Sequence, residues 1–166
     1  MELKDLERVD KKCMFRAYDK WPEIARESFE KRFENIVIDD IDHIVFAGMG
    51  GSGSIGDTIS AILSKKDIHI TNVKGYLLPK TVDSKTLVVG TSISGNTSEV
   101  LSVLQEAKKR STKIVGFSSG GDMESFCQKN DIFFQKISMI HSPRTSYTNF
   151  LYSILNILDP ILPITK

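Results

Sequence analysis

The chain has 166 residues, of which 40% are apolar and 26% charged, with 22 Lys and Arg against 21 Asp and Glu. This is the length of one domain, or of one domain with an appended helical piece, and the composition excludes a disordered tail, a collagen and a disulfide scaffold. A formal charge of +1 carries no signature of a nucleic-acid or anionic-membrane partner. Cys13 and Cys127 lie outside any C-x-x-C spacing, which suits a reducing compartment and argues against a Cys-ligated zinc site. The N-terminus is charged from Glu2 onward, unlike a signal peptide. No run reaches the roughly 18 unbroken apolar residues of a membrane span. A soluble, cytoplasmic protein is expected.

Residues 2–35 read as a helical arm in two pieces. Leu3, Leu6, Val9 and Cys13 recur at helical spacing, and Trp21-Pro22 opens a second helix with Ile24, Ala25, Phe29 and Phe33 as its buried stripe. From Asp42 the pattern changes. Ile44–Ala47, Leu87–Gly90 and Ile114–Phe117 are short apolar runs without polar alternation, as expected of strands buried on both faces. Ile68–Val73 and Ile132–Gln135 are weaker strand candidates. Helical stretches separate them: Ile55–Leu63, Thr97–Lys109 and Gly121–Lys129, with a last helix from Ser146 to about Leu158. Strands alternating with helices predict a doubly wound, five-stranded parallel sheet. The boundaries expected are 1–35 for the arm, 36–160 for the α/β domain and 161–166 for a tail or the start of a linker.

Two turns carry the candidate chemistry. Gly48-Met49-Gly50-Gly51-Ser52-Gly53-Ser54 follows the first strand directly, where glycines allow a ligand close to the backbone and the next helix offers free N–H groups and its positive dipole end. Gly48-x-Gly50-x-x-Gly53 also fits the dinucleotide fingerprint. However, Ile68–Val73 is followed by Lys74, where a ribose-binding acid belongs. No G-x-x-x-x-G-K-[ST] occurs, so a nucleoside-triphosphatase is excluded. The second turn, Thr91-Ser92-Ile93-Ser94-Gly95-Asn96-Thr97, follows strand 87–90. Ser92, Ser94 and Thr97 can each donate to one phosphate beside backbone N–H groups, although Thr97 or Asn96 can equally serve as a helix N-cap. If the strands before these turns are neighbours, both turns face one crevice at the sheet's switch point.

Gly48–Gly53 together with Ser92-Ile93-Ser94-Gly95-Asn96-Thr97-Ser98-Glu99 resembles the sugar isomerase (SIS) domain family. More narrowly, with Pro143-Arg144-Thr145-Ser146, it resembles the amino-terminal half of archaeal bifunctional phosphoglucose/phosphomannose isomerases, over roughly residues 20–160. The resemblance implies a flavodoxin-like five-stranded sheet and a sugar phosphate held by Ser92, Ser94 and Thr97. It places Gly50, Gly51 and Ser52 against the sugar chain, and Arg144 near C1–C2 as the catalytic cation that stabilises an enediolate. It further implies interconversion of glucose 6-phosphate or mannose 6-phosphate with fructose 6-phosphate, without metal or organic cofactor.

Family members carry two SIS domains, with the catalytic Glu and His in the second. Here His43 and His69 lie in strands and read as structural, His141 reads as structural or surface, and Glu99 lies in a helix's first turn. The isomerisation base is therefore expected outside this chain. Phe150, Leu151, Ile154, Leu155, Ile157, Leu158, Ile161, Leu162 and Ile164 need cover from this domain, from a second copy or from a missing second SIS domain. Two alternatives stand beside this reading: a stand-alone phosphosugar-binding module without turnover, and a nicotinamide enzyme built on Gly48–Gly53.

Overall fold

A computed structural model describes residues 3–34, 36 and 38–159. Its centre is a five-stranded sheet, all parallel: β1 (His43–Ala47), β2 (His69–Val73), β3 (Thr86–Ser92), β4 (Lys113–Ser118) and β5 (Phe133–Lys136), in the order β2-β1-β3-β4-β5. This is the flavodoxin-like order, whose direction of winding reverses between β1 and β3. Helices α4 (Gly50–Ile62), α5 (Ser98–Lys109), α6 (Gly121–Lys129) and α7 (Tyr147–Leu158) complete the α/β framework.

Strand alternation assigns the two faces. Ile44 and Phe46 of β1 and Leu87 and Val89 of β3 join Ile55, Ile59 and Leu63 of α4 and Phe150 and Ile154 of α7 in one core. Val45, Ala47 and Val88 point the other way, onto Val100, Val103 and Leu104 of α5 and Met123 and Cys127 of α6. Because both faces are covered, β1 and β3 are buried at every position, which is why their sequences run apolar without alternation.

The last helix finds its cover within the chain. Phe150, Leu151, Ile154, Leu155, Ile157 and Leu158 are all buried, against α4 and the N-terminal helix Trp21–Glu30. Those six therefore give no reason to invoke a second copy or domain; Ile161, Leu162 and Ile164 lie outside the described residues.

The arm departs from expectation. It forms three helices, not two: α1 (Leu3–Val9), α2 (Met14–Asp19) and α3 (Trp21–Glu30). The stripe read from Leu3, Leu6, Val9 and Cys13 is not buried, with Leu3 59% and Val9 79% exposed. The break lies at Cys13, in the left-handed region at φ 52°, and the Asp10 carboxylate accepts the Phe15 N–H at 2.9 Å to start α2 afresh. Helix α3 does pack. Phe29 and Phe33 lie against the core, and Ser28 Oγ donates to Asn149 Oδ1 of α7 at 2.8 Å.

Candidate functional site

The β1–α4 and β3–α5 connections lie side by side because β1 and β3 are hydrogen-bonded neighbours, in register from His43 opposite Thr86 to Ala47 opposite Gly90. Parallel strands then bring both connections to one sheet edge. Helix α4 begins at Gly50, five residues before the expected Ile55, so Gly50–Ser54 are its first turn and not a free loop. Gly48 and Gly53 make that start possible: a Cβ on Gly53 would lie 2.7 Å from the Gly48 carbonyl oxygen. Met49 O accepts the N–H groups of Ser52 and Gly53 at 3.0 and 3.2 Å. The N-cap residues Met49 and Thr97 make no side-chain cap bond, so among the described residues the leading N–H groups of both helices have no side-chain acceptor.

The β3–α5 turn is internally wired. Ser92 is buried; its Oγ accepts the Gly95 N–H at 3.0 Å and pairs with Thr97 Oγ1 at 2.7 Å. Ser94 is exposed, and its Oγ accepts the Asn96 N–H at 3.3 Å. Gly95 holds φ +76°, and a Cβ there would fall 1.7 Å from the Gly120 carbonyl oxygen. The β4–α6 connection is thus pressed against this turn. Ser119 Oγ donates to Ile93 O at 2.6 Å, and Asn96 Oδ1 accepts the Asp122 N–H at 2.9 Å. Asn96 therefore caps α6, not its own helix as the sequence allowed.

A cleft of about 190 Å³ opens between these connections. Gly51, Ser52, Ser94, Thr97 and Arg144 line it, with Met49, Ile93 and Pro143 as its apolar part. Gly50 stands beside it at the start of α4. Ser92 lies behind Thr97, outside the lining, where it shapes the turn.

Arg144 reaches the cleft from a third segment, the turn before α7. It is exposed and has no carboxylate partner among the described residues. The two hydroxyls after it, Thr145 and Ser146, are fully buried and fold the turn on itself. Ser146 Oγ accepts the Ile140 N–H at 2.7 Å, and Thr145 Oγ1 accepts the Ser142 N–H at 3.1 Å and donates to Ile140 O. In the sequence Thr145 and Ser146 are only two positions of a motif; in the fold they are the buried knot that presents Arg144.

The other candidates lie elsewhere. His141 is exposed, with Nε2 at 2.7 Å from Lys12 O, away from the cleft lining. His43 is buried beside Thr71 and Thr86 at the opposite sheet edge, its ring 4.6 Å from that of His69. Burial above all, then His69, lowers the His43 pKa below its ordinary 6.5. Glu99 is half-buried in the first turn of α5 and does not line the cleft. Lys74, directly after β2, pairs its Nζ with Asp57 at 2.5 Å, so the β2 end offers a cation where a dinucleotide's ribose asks for an acid. Among the described residues, no group of three His, Cys, Asp or Glu side chains could hold a metal ion, and no helix is long and apolar enough to cross a membrane.

What this cleft offers is specific. Two uncapped helix N-termini and a row of hydroxyls supply donors for a dianion without a basic side chain. The Arg144 guanidinium, without an ion-pair partner among the described residues, lines the same cleft. Residues 38–158 match the SIS domain family over most of the chain. The chain belongs to the SIS domain family. A curated relative, the bifunctional phosphoglucose/phosphomannose isomerase of Caldicellulosiruptor bescii, is 38% identical over 121 residues, covering 70% of this chain and 36% of that protein. The chain spans about a third of the length of the curated relatives it matches. Among solved structures, glucosamine-6-phosphate deaminase from Thermotoga maritima superposes with a TM-score of 0.67 at 23% identity, over 90% of this chain and 48% of that one. The protein c3406 of E. coli CFT073 gives a TM-score of 0.64 at 19% identity, over 100% and 96% of the two chains. These structural likenesses establish the fold.

Proposed function

We propose that this SIS domain is the phosphate-binding part of a hexose-6-phosphate aldose–ketose isomerase, acting on glucose 6-phosphate or mannose 6-phosphate and fructose 6-phosphate. The observation that carries the reading is the convergence of Ser94, Thr97 and Arg144 on one cleft from two separate connections. Ser94, Thr97 and the leading N–H groups of α5 take the phosphate, with Ser92 fixing Thr97. Gly50, Gly51 and Ser52 lie along the sugar chain. Arg144 then faces the carbon end of the substrate. Moving a proton between C1 and C2 leaves negative charge on oxygen, and a preorganised guanidinium lowers the energy of that cis-enediolate.

The proton itself needs a base within hydrogen-bond reach. Among the described residues no carboxylate or imidazole lines the cleft. In this proposal the base and the ring-opening acid come from a second SIS domain or from a second copy of the chain. The same observation supports the competing reading, a phosphosugar-binding module without turnover. No organic cofactor or metal is assigned to either.

A thermal-shift titration with fructose 6-phosphate, run beside a coupled assay for glucose 6-phosphate, tests the proposal. A stabilising shift is the expected result. Addition of a relative's second domain that then yields turnover distinguishes the isomerase part from the sensor. A chain that ignores the hexose phosphate and binds NADH revives the nicotinamide alternative.

A further inference from the structure

The Arg144 turn leads into α7 and, unlike the glycine and hydroxyl turns, does not directly follow a strand. The hydroxyl bonds of Thr145 and Ser146 close within residues 140–146, so they make the turn a unit without fixing where that unit sits. Beyond the backbone bonds into α7, from the Tyr147 N–H to Arg144 O at 3.4 Å and from the Phe150 N–H to Ser146 O at 3.0 Å, the ties that leave the unit run to the N-terminal segment. Trp21 Nε1 donates to Thr145 O at 2.9 Å, His141 Nε2 meets Lys12 O at 2.7 Å, and Ser142 Oγ reaches Met14 Sδ at 3.6 Å. Of these, the His141 bond is exposed and competes with water, whereas the Trp21 bond is partly buried. The indole is also clamped. It meets Tyr18 edge-on at 4.9 Å and lies 6.3 Å from Tyr147, whose hydroxyl pairs with Thr58 Oγ1 of α4 at 2.6 Å. A chain of aromatic contacts thus runs from the arm, past the residue that follows Arg144, to the helix that forms the glycine wall of the cleft.

We propose that Trp21 is a positioning residue for Arg144, through which the N-terminal helices set the sugar-side half of the cleft. This rests on the reading of the cleft as a hexose-phosphate site. Trp21 does not line the cleft; it acts by holding the backbone at Thr145. The guanidinium has no ion-pair partner of its own among the described residues, so its place follows that backbone. The phosphate end is anchored separately, by the sheet and the β4–α6 connection, and stays put when the Arg144 turn loosens.

The chain has a single Trp. Replacing it biosynthetically with the sulfur isostere β-(3-benzothienyl)alanine removes the N–H and keeps the ring, so the variant retains its packing. Trp21→Phe is the genetic counterpart. Calorimetric titration with fructose 6-phosphate is expected to show about a 3- to 10-fold loss of affinity in each, as for one neutral hydrogen bond. In an Arg144→Ala background the same replacement is expected to cost nothing further, because interacting residues fail to add. An equal loss in both backgrounds, or no loss in either, overturns the proposal. Amide hydrogen exchange supplies a ligand-free arm: faster exchange at 141–146, with β1 and β3 unchanged, is expected in the isostere. If the unaltered chain binds no hexose phosphate, the proposed function fails, and exchange alone judges Trp21; unchanged exchange at 141–146 then overturns the positioning role.

Discussion

The two lips of the cleft are built by opposite strategies. The β3–α5 lip is held from within the sheet. Its strand is buried throughout, its hydroxyls close on their own backbone, and a neighbouring connection is pressed on it to the limit of contact at Gly95. The Arg144 lip is held from outside, by a buried hydroxyl knot and by an indole 124 residues away in sequence. The difference separates two tasks. On the proposed function the phosphate is common to every substrate, so its grip gains from rigidity. A cation that follows a changing charge gains from a mount whose position can be tuned without touching the sheet.

The comparison breaks most severely at Gly95. Gly95→Ala places a side chain at φ +76° and on top of the Gly120 carbonyl. We expect a loss of about 3 kcal/mol of stability, the upper end for a strained backbone position, read as a shifted urea midpoint. A change within about 0.5 kcal/mol, the range of an ordinary surface substitution, would show that the two connections are not mutually wedged.

Ser94→Ala and Thr97→Ala come next. Each is expected to weaken fructose 6-phosphate binding by about 1.5–3 kcal/mol, as for hydrogen bonds to a charged group. Ser94 is exposed, so its variant should fold as the parent does. Unchanged calorimetric affinity in both variants removes the phosphate from this lip. Asn96→Ala is milder. Removing the cap of α6 is expected to cost about 1 kcal/mol of stability, again by urea unfolding, and no loss there would mean that the contact at 2.9 Å to Asp122 is not what orders α6.

What was legible in the sequence follows where the information is local. β1, β3 and β4 announce themselves because a strand covered on both faces carries a contiguous apolar run. β2 and β5, at the sheet edges, are half-buried and correspondingly faint. The glycine and hydroxyl turns were visible because their chemistry is written in consecutive residues. The start of α4 was read five residues late because Gly50, Gly51 and Gly53 are poor helix formers, and the close approach of Gly48 to Gly53 overrides propensity there. The arm misled in the other direction: Leu3, Leu6 and Val9 keep helical spacing in a helix of seven residues that buries nothing. Asn96 looked like a local cap, and its true partner is 26 residues on. Trp21 is legible only as the start of a helix, since a single indole reaching a distant carbonyl leaves no pattern in either segment.

The smallest expected effect contrasts the cleft with the far edge of the sheet. His43 is buried there, with Nε2 at 3.0 Å from Thr71 Oγ1 and Nδ1 at 3.3 Å from Thr86 Oγ1. Burial and the neighbouring His69 lower its pKa, while Asp83 and Asp42 pull weakly the other way. A histidine whose folded pKa lies below its ordinary 6.5 binds more protons unfolded than folded just under that pH. Its contribution to stability is therefore complete above pH 6.5 and declines as the pH falls below it. Urea midpoints between pH 7.5 and 5 should fall in the parent chain and fall less steeply in His43→Asn. Phosphosugar affinity at pH 7.5 should be the same in both, because β1 carries His43 at the end opposite the cleft. Parallel slopes would assign the titration to other groups, and an affinity change would show that the two ends of β1 are coupled.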